Sequence, residues 1–167
     1  VIFFSDHIEK FIPPKKGRKH SLYIIRELLE FKPESTRTDV GQAVEYLTSV
    51  IKRRCTAFLL SDFIDEKDFR QALTIANRKH DVVAVQVYYR RVAELPDVGL
   101  MQVRDAETGE EMLIDTSSKK VRNLHAAWWK GQQNRLRDTF TRSGVDNVSV
   151  RTDQDYVAAL MGLFRQR

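Results

Sequence analysis

The chain has 167 residues and a formal net charge of +5, and 42% of its residues are hydrophobic while 31% are charged. These values are typical of one soluble globular domain spanning residues 1–167, and they argue against a disordered chain. The single cysteine excludes an intrachain disulfide, and no apolar run reaches the roughly 18 residues that a membrane span requires.

The N-terminal segment is predicted to begin with two short strands. Residues 1–5 (VIFFS) are almost wholly apolar, which is typical of a strand buried on both faces. Residues 9–12 alternate polar and apolar side chains before two prolines, and the short connection predicts antiparallel pairing of the two strands. Because Val1 already reads as part of a strand, we expect residues upstream of it to belong to the same fold.

A helix is predicted over residues 18–31, since Leu22, Ile25, Leu28 and Leu29 recur at helical spacing before Pro33. The basic run 15–20 precedes this helix. It is open to two interpretations, a phosphate-binding loop or a solvated turn, and the second is favoured because charged runs beside turn residues usually face water.

An alternation of helices and strands follows. Helices are predicted over 39–53 and 66–79, and apolar strands over 56–61 (TAFLLS) and 81–88 (DVVAVQVY). Apolar strands that alternate with helices predict a parallel sheet covered on both faces, and too few units are present for an eightfold barrel. The expected fold is therefore α/β, with a doubly wound, mainly parallel sheet.

A β-hairpin is predicted as an insertion at about residues 95–116. Residues 98–104 and 111–115 resemble strands, and Gly109 suits a left-handed turn position between them. We expect this hairpin to face a partner, because functional residues concentrate on such excursions.

The C-terminal part is predicted to hold a long helix over 118–143 closed by Gly144, a strand over 147–151, and a helix over 153–165 capped by Asp153. On the long helix, one apolar face is assigned to Val121, Leu124, Trp128, Leu136 and Phe140. Trp128 is therefore predicted to lie in the core, and Trp129, about 100° away, to be covered partly by the hairpin or to contact a partner.

Polar residues at the carboxyl ends of the strands are the candidate ligands. Ligands of open α/β sheets bind at this edge, so we consider the residues that fall there, which are Asp6, Thr38, Asp39, Ser61, Asp62 and Asp65. Hydroxyl and carboxylate oxygens suit Mg²⁺, Mn²⁺ or Ca²⁺ better than zinc. A second interpretation remains open, in which Thr38 or Asp39 caps the following helix and Asp62 is an ordinary loop residue.

Other motifs of enzymes are missing from the sequence. It contains no phosphate-binding glycine loop, no dinucleotide fingerprint and no nucleophile elbow, and its four histidines lack metal-ligand spacing. Cys55, beside Arg54, is open to interpretation as a reactive thiol or as an inert buried one, and burial is favoured. The sequence therefore offers no candidate catalytic base with a nucleophile beside it.

Two segments resemble loops of a metal-ion-dependent adhesion site. Residues 37–43 (RTDVGQA) look like its threonine-bearing loop, and residues 58–63 (FLLSDF) look like its aspartate-bearing loop. Together with VIFFSD, PPKKG, LPDVGL, ETGE and TDQDYV, in this order, they resemble the bacterial domain-of-unknown-function family fifty-eight. Members of that family are von Willebrand factor A-like proteins usually encoded beside MoxR-type AAA+ ATPases.

The resemblance implies that Thr38 is a direct metal ligand and that Asp62 is a ligand, often through water. Ser61 and Asp39 are expected to lie next to these two ligands and to hold them in place without contacting the metal themselves. The family also uses an Asp-x-Ser-x-Ser loop after a central first strand, and this chain contains no such loop. We therefore expect Mg²⁺, or Mn²⁺ or Ca²⁺, to bind the intact protein and not this chain alone.

The function that the resemblance implies is metal-assisted binding of a protein partner. The expected role is that of an adaptor or co-chaperone for a MoxR-type ATPase in the cytoplasm, with nucleic acid not expected as a partner. Two alternatives remain, a structural scaffold with a vestigial metal site and a metal-dependent nuclease or phosphatase. The hydroxyl at Thr38, where a nuclease would carry a carboxylate, argues against the last of these.

Overall fold

The computed structural model describes residues 1–65, 67–105 and 109–166. Its strands are β1 (Ile2–Phe4), β2 (Ile8–Phe11), β3 (Thr56–Ser61), β4 (Asp81–Tyr88), β5 (Leu100–Arg104), β6 (Glu111–Asp115) and β7 (Asp146–Arg151). Its helices are α1 (Arg18–Glu30), α2 (Val40–Val50), α3 (Arg70–Lys79), α4 (Arg90–Ala93), α5 (Lys119–Ser143) and α6 (Tyr156–Gln166).

A parallel sheet of order β3-β4-β7 lies at the centre of the fold. The predicted α/β class with a parallel sheet is thus confirmed in this form, and so is the antiparallel pairing of β1 with β2. In the part of the chain that the structure describes, β1-β2 and β5-β6 form separate two-stranded sheets. The single doubly wound sheet of the prediction is therefore present as one three-stranded sheet and two antiparallel pairs.

The main core lies between one face of the central sheet and helices α2, α3 and α5. Leu73 of α3, Val40 of α2 and Phe140 of α5 are buried there together with Val82 and Ala84 of β4. A smaller cluster on the other face joins β4 and β7 to α6. The strand β4, buried on both faces, is therefore the centre of the fold, as its mostly apolar sequence predicts.

β3 differs from the prediction, because only one of its faces is covered. Leu59 packs against the main core, whereas Phe58 and Leu60 on the opposite face are exposed. The strand lies at the edge of the central sheet, and Phe58 contacts only the margin of α6 through Phe164, with ring centroids 6.2 Å apart. An apolar run therefore did not distinguish a strand covered on two faces from an edge strand covered on one.

α1 forms where the sequence predicts it, but its aliphatic face points outward. Ile24 and Glu27 are half-buried, and Phe31 at the helix end stacks on Phe3 of β1 with centroids 4.6 Å apart. The four aliphatic residues of the predicted stripe, Leu22, Ile25, Leu28 and Leu29, are all exposed. None of the residues of α1 is fully buried, so helical periodicity located this helix without identifying the face that packs.

The predicted phase of α5 is wrong in its first half. Trp128 is 42% exposed and Leu124 is exposed as well, whereas Trp129 is half-buried and its ring lies 5.1 Å from that of Tyr88. In the second half, Leu136 and Phe140 are buried as predicted. The inward face passes through His125 and Trp129 and also includes polar residues such as Gln133, so apolar spacing alone did not identify it.

Several helix ends also depart from the predicted limits. α3 begins at Arg70 and not at residue 66, a position outside the described residues. α6 begins at Tyr156, and Asp155 accepts a hydrogen bond from the backbone of Val157, so the predicted cap at Asp153 is wrong. The short helix α4 was not predicted.

The hairpin and the end of α5 follow the prediction closely. β5 and β6 pair antiparallel, and Gly109 has a φ of 73°. The turn residues 106–108 lie outside the described residues. Gly144 ends α5 with a φ of 67°, a left-handed conformation that glycine adopts without steric strain.

Candidate site at the carboxyl edge of β3

Three loops meet at the carboxyl ends of β1 and β3. The backbone N–H of Asp39 donates to the carbonyl oxygen of Ser5, which joins the entrance of α2 to the end of β1 (2.9 Å). From the loop after β3, Asp65 Oδ2 accepts a hydrogen bond from the N–H of Val40 (2.9 Å). Lys67 in that loop places its Nζ 2.6 Å from Asp39 Oδ2. The segment that carries Thr38 is thus tied to the loop that carries Asp62.

Asp39 is the residue that caps α2. Its Oδ1 accepts a hydrogen bond from the N–H of Gln42 (2.8 Å), and its Oδ2 pairs with Lys67. Burial alone would raise the pKa of Asp39, but the hydrogen bonds from Lys67 and from Gln42 outweigh it and hold the pKa below its ordinary value. Both carboxylate oxygens of Asp39 therefore accept hydrogen bonds, one from the backbone of α2 and the other from Lys67.

Thr38 does not cap α2, although the sequence left this role open between Thr38 and Asp39. The residue is half-buried, and within the described residues its hydroxyl makes no hydrogen bond. Since Asp39 caps the helix, the hydroxyl of Thr38 is available to a ligand. This is the position that the resemblance assigns to a direct metal ligand.

Asp62 lies immediately beyond β3, in a strained turn. Its Oδ1 accepts a hydrogen bond from the N–H of Ile64 (3.1 Å), and the hydroxyl of Ser61 accepts one from the N–H of Phe63 (3.0 Å). Phe63 has a φ of 56°, a conformation that is rare for a bulky residue, and its buried ring holds it there. Ser61 is thus used by the turn, while Asp62 is exposed and keeps its second oxygen free among the described residues.

The turn after β3 is also fixed from the neighbouring strand. Gln86 on β4 is buried, and its Nε2 donates to the carbonyl oxygen of Asp62 (3.3 Å). Its Oε1 accepts a hydrogen bond from Ser149 on β7 (2.8 Å). One glutamine therefore links all three strands of the central sheet at the level of Asp62.

Asp6, the candidate after β1, is engaged by its neighbour. Its Oδ1 lies 3.0 Å from His7 Nδ1. This hydrogen bond lowers the pKa of Asp6 and raises the pKa of His7. Asp6 is therefore part of a local pair at the same edge.

The residues of this chain supply part of a metal site. Thr38 offers a hydroxyl and Asp62 one free carboxylate oxygen, whereas Mg²⁺ takes about six oxygen ligands. Across residues 1–65, 67–105 and 109–166, the structure contains no group of three or more His, Cys, Asp or Glu residues that could hold a metal ion. Further oxygen ligands are needed before a cation can be held, and whether Thr38 and Asp62 share one stays a prediction.

Sequence reasoning missed the role of Lys67. The lysine is 28 positions from Asp39, and no local pattern links the two. Its ammonium group, with Asp6 and Asp65 contributing to its raised pKa after Asp39, is the positive charge at this acidic edge. Only the folded arrangement of the two loops could reveal it.

A cleft of about 280 Å³ opens beside these loops. Asp65 and Lys67 line it on one side, and Arg135 of α5 lines it on the other. Trp129, the residue predicted to contact a partner, is not among the residues that line it and packs on Tyr88. The surface next to the candidate site is thus charged and concave.

A comparison with known families and proteins complements this geometry. The family model described as "Protein of unknown function DUF58" matches residues 1–135. An uncharacterized protein of Mycobacterium bovis, Mb1516, and one of Mycobacterium tuberculosis, Rv1480, are each 29% identical to the chain over 160 residues. These matches cover 93% of the chain and 50% of each relative, so the chain spans about half the length of these curated relatives.

A third relative, the uncharacterized protein MAV169 of Mycobacterium avium, is 28% identical over 160 residues, with 93% of both chains covered. Two crystal structures from Bacteroides species share the fold. The conserved hypothetical protein BatB of Bacteroides thetaiotaomicron has a TM-score of 0.54 at 15% identity over 99% of this chain and 76% of its own. An aerotolerance-related membrane protein of Bacteroides fragilis has a TM-score of 0.52 at 11% identity over 98% of this chain and 77% of its own.

The helices were also searched for membrane-spanning segments. In the part of the chain that the structure describes, no helix combines the length and the apolar character that crossing a bilayer requires.

Proposed function

The chain belongs to the DUF58 family, and from this premise we propose that it is a non-enzymatic, metal-assisted protein-binding module with a von Willebrand A-like fold. In a protein as long as the curated relatives of which this chain covers 50%, Thr38 and Asp62 would bind a divalent cation such as Mg²⁺, together with oxygen ligands that residues 1–167 do not supply. The bound cation would attract a carboxylate of the partner protein, and that carboxylate would complete the coordination of the cation. Such a contact is charge-assisted and sensitive to orientation.

The observation that carries this proposal is that two contacts join the two loops. Asp65 holds the N–H of Val40, and Lys67 holds Asp39, so the entrance of α2 and the turn after β3 form one rigid edge. Thr38 precedes and Asp62 follows the elements that these contacts join, and among the described residues each has an oxygen that makes no hydrogen bond. Preorganised oxygen donors of this kind suit a cation that exchanges one ligand for a partner.

The proposed partner is a MoxR-type AAA+ ATPase, and the proposed role is that of a cytoplasmic adaptor or co-chaperone in the assembly of other proteins. Two features of the chain support a role in protein binding. The cleft beside the candidate site is lined by charged side chains, among them Lys67, Arg70 and Arg135. The hairpin β5-β6 projects between β4 and α5, and Leu100 and Leu113 on it are exposed.

Metal titration of the chain and of the longer protein tests the first half of the proposal. We expect calorimetry to show Mn²⁺ binding by the longer protein and none by residues 1–167 in the same concentration range. In the longer protein, Thr38→Val and Asp62→Asn should each weaken binding by about tenfold or more. Asp146→Asn, which removes an exposed carboxylate at the amino end of β7 and so at the opposite edge of the sheet, is the matched control. Tight binding by the chain alone would show that the site is not the proposed one.

The second half is tested by binding of the cognate ATPase with and without a chelator. The proposal expects binding to fall in EDTA, to return with Mg²⁺, and to fall in Asp62→Asn. A scaffold with a vestigial site is the second candidate, and it is favoured by one observation, the neutralisation of Asp39 by Lys67. Binding that is unchanged by EDTA and by Asp62→Asn would support the scaffold.

A further inference from the structure

A cysteine and a histidine lie side by side at the amino ends of β3 and β4, the edge of the sheet opposite to Asp62. Cys55 immediately precedes β3 and His80 immediately precedes β4, and the two strands run parallel with Thr56 opposite Asp81. The N–H of Asp81 donates to the carbonyl oxygen of Cys55 (2.9 Å), which fixes this register. As a result Cys55 Sγ lies 3.5 Å from His80 Nδ1.

The imidazole of His80 is enclosed by protein, whereas residue Cys55 is only half-buried. His80 is 0% exposed, and among the described residues its Nε2 has no hydrogen-bond partner. Cys55 is partly exposed. The pKa of His80 is lowered by burial first and then by the charges of Lys79 and Arg54, so the ring is neutral at pH 7 and carries a single proton.

The location of that proton follows from the surroundings of the ring. A proton on Nε2 would be a buried N–H without an acceptor, which native structures almost always avoid. A proton on Nδ1 points at Cys55 Sγ. His80 is therefore a hydrogen-bond donor to the sulfur, and a sulfur that accepts such a bond is best satisfied as an anion.

The charges around the pair act in the same direction. Lys52, Arg53 and Arg54, in the segment that leads into β3, are all exposed. Lys79 at the end of α3 binds the carbonyl oxygen of Thr48 nearby. The acidic neighbour is Asp81, whose Oδ2 lies 3.3 Å from the hydroxyl of Thr56. The surroundings of the sulfur are thus predominantly basic, which is typical of reactive cysteines.

We propose that Cys55 is a thiol-modification site that reacts by exchange with small anionic disulfides, with His80 as the residue that positions and stabilises the attacking sulfur. The sulfur of Cys55 attacks one sulfur of the disulfide. A new S–S bond forms, the old one breaks, and the departing thiolate takes a proton from water. No external oxidant is needed, because the disulfide itself is reduced.

Rates of thiol exchange on the folded chain test this proposal, and the single cysteine makes the readout specific. The anionic dithiobis(nitrobenzoate) and the neutral dithiodipyridine are the two probes, and Cys55→Ser must abolish both reactions. We expect His80→Gln to slow both by on the order of tenfold. Arg54→Gln should slow the anionic probe more than the neutral one. Arg91→Gln, which removes an arginine at the opposite edge of the sheet, should leave both rates unchanged.

The salt dependence of the wild-type chain decides the matter if His80→Gln does not fold. Because the residues that lead into β3 are basic, the rate with the anionic probe should fall by about threefold or more when about 0.5 M NaCl is added, whereas the rate with the neutral probe should stay within about twofold. Equal salt effects on the two probes, or a folded His80→Gln variant that reacts as fast as the wild type, would overturn the proposal.

Discussion

Lys67 Nζ lies 2.6 Å from Oδ2 of Asp39, the same carboxyl group whose Oδ1 caps α2. The aspartate therefore has two roles. It caps its own helix, and it forms an ion pair with the loop after β3. Of the two partners, Asp39 is the buried one and Lys67 is largely exposed. The loss of the lysine would leave a buried carboxylate with one hydrogen bond, whereas the loss of the aspartate would leave an ammonium group that water can solvate.

Two substitutions of Asp39 should separate the contribution of the helix cap from that of the ion pair. Asp39→Ala removes the cap and the ion pair and should lower the free energy of unfolding by about 1 to 2 kcal/mol. Asp39→Asn keeps a capping oxygen and should lower it by less. Urea denaturation of both variants checks this order. An alanine variant as stable as the wild type would mean that the cap contributes nothing to α2.

Acidification should destabilise the chain through His80, which is buried, and His125, which is half-buried. Burial lowers the pKa of His125, as it lowers that of His80, so the unfolded chain binds these protons at a higher pH than the folded one does. Their contribution to stability is complete above the unfolded pKa of about 6.5 and is lost as the pH falls through the folded values. The raised pKa of His7 acts in the opposite direction, but it is one group against two, so unfolding free energies measured from pH 7.5 to 5 should decrease.

His125→Leu should make that decrease smaller, since one of the two groups is removed. Asn123→Leu, on the same helix, removes no titratable group, so it is the matched control and should leave the slope as it is in the wild type. A slope that is identical in His125→Leu and in the wild type would show that His125 titrates alike in the folded and unfolded chains.

Two leucines of α1 and α3 should respond very differently to truncation. Leu73 is 0% exposed at the centre of the main core, and Leu73→Ala should lower the free energy of unfolding by about 2 to 5 kcal/mol. Leu29 is 82% exposed, and Leu29→Ala should change it by less than about 0.5 kcal/mol. Thermal and urea denaturation of the pair measure this contrast. Equal effects would mean that α1 packs differently in solution.

The two adjacent tryptophans should differ in fluorescence. Trp128→Phe leaves the half-buried Trp129, whose emission should be blue-shifted and weakly quenched by iodide. Trp129→Phe leaves the exposed Trp128, whose emission should be red-shifted and strongly quenched. Trp129→Ala should also destabilise the chain more than Trp128→Ala, because only Trp129 packs on Tyr88. The reverse pattern would restore the helix phase that the sequence suggested.

The sequence predicts well what depends on local chemistry. β4 consists of eight consecutive residues suited to a buried strand, and both of its ends agree with the prediction. Gly144 ends α5 because a left-handed residue is needed there. At the candidate site, the positions of Thr38 and Asp62 at strand and helix ends follow from the same kind of pattern.

What depends on distant neighbours could not be read in this way. Leu22 and Leu29 fit a core-facing stripe, yet the packing of Phe31 on Phe3 turns them outward. Trp128 was assigned to the core because it shares a helical face with Leu124 and Phe140, although the inward face passes through His125 and Trp129. The pairing of Lys67 with Asp39 likewise needed the fold, because charge alone does not select a partner.

The outward stripe of α1 also has a consequence for how the isolated chain behaves at high concentration. Four aliphatic side chains within about two helical turns form an exposed apolar surface, which favours self-association as the protein concentration rises. Replacing Leu22, Ile25 and Leu29 with glutamine should therefore raise the solubility limit while the unfolding midpoint stays where it was. For this chain, resistance to aggregation and resistance to unfolding would then be properties of different residues.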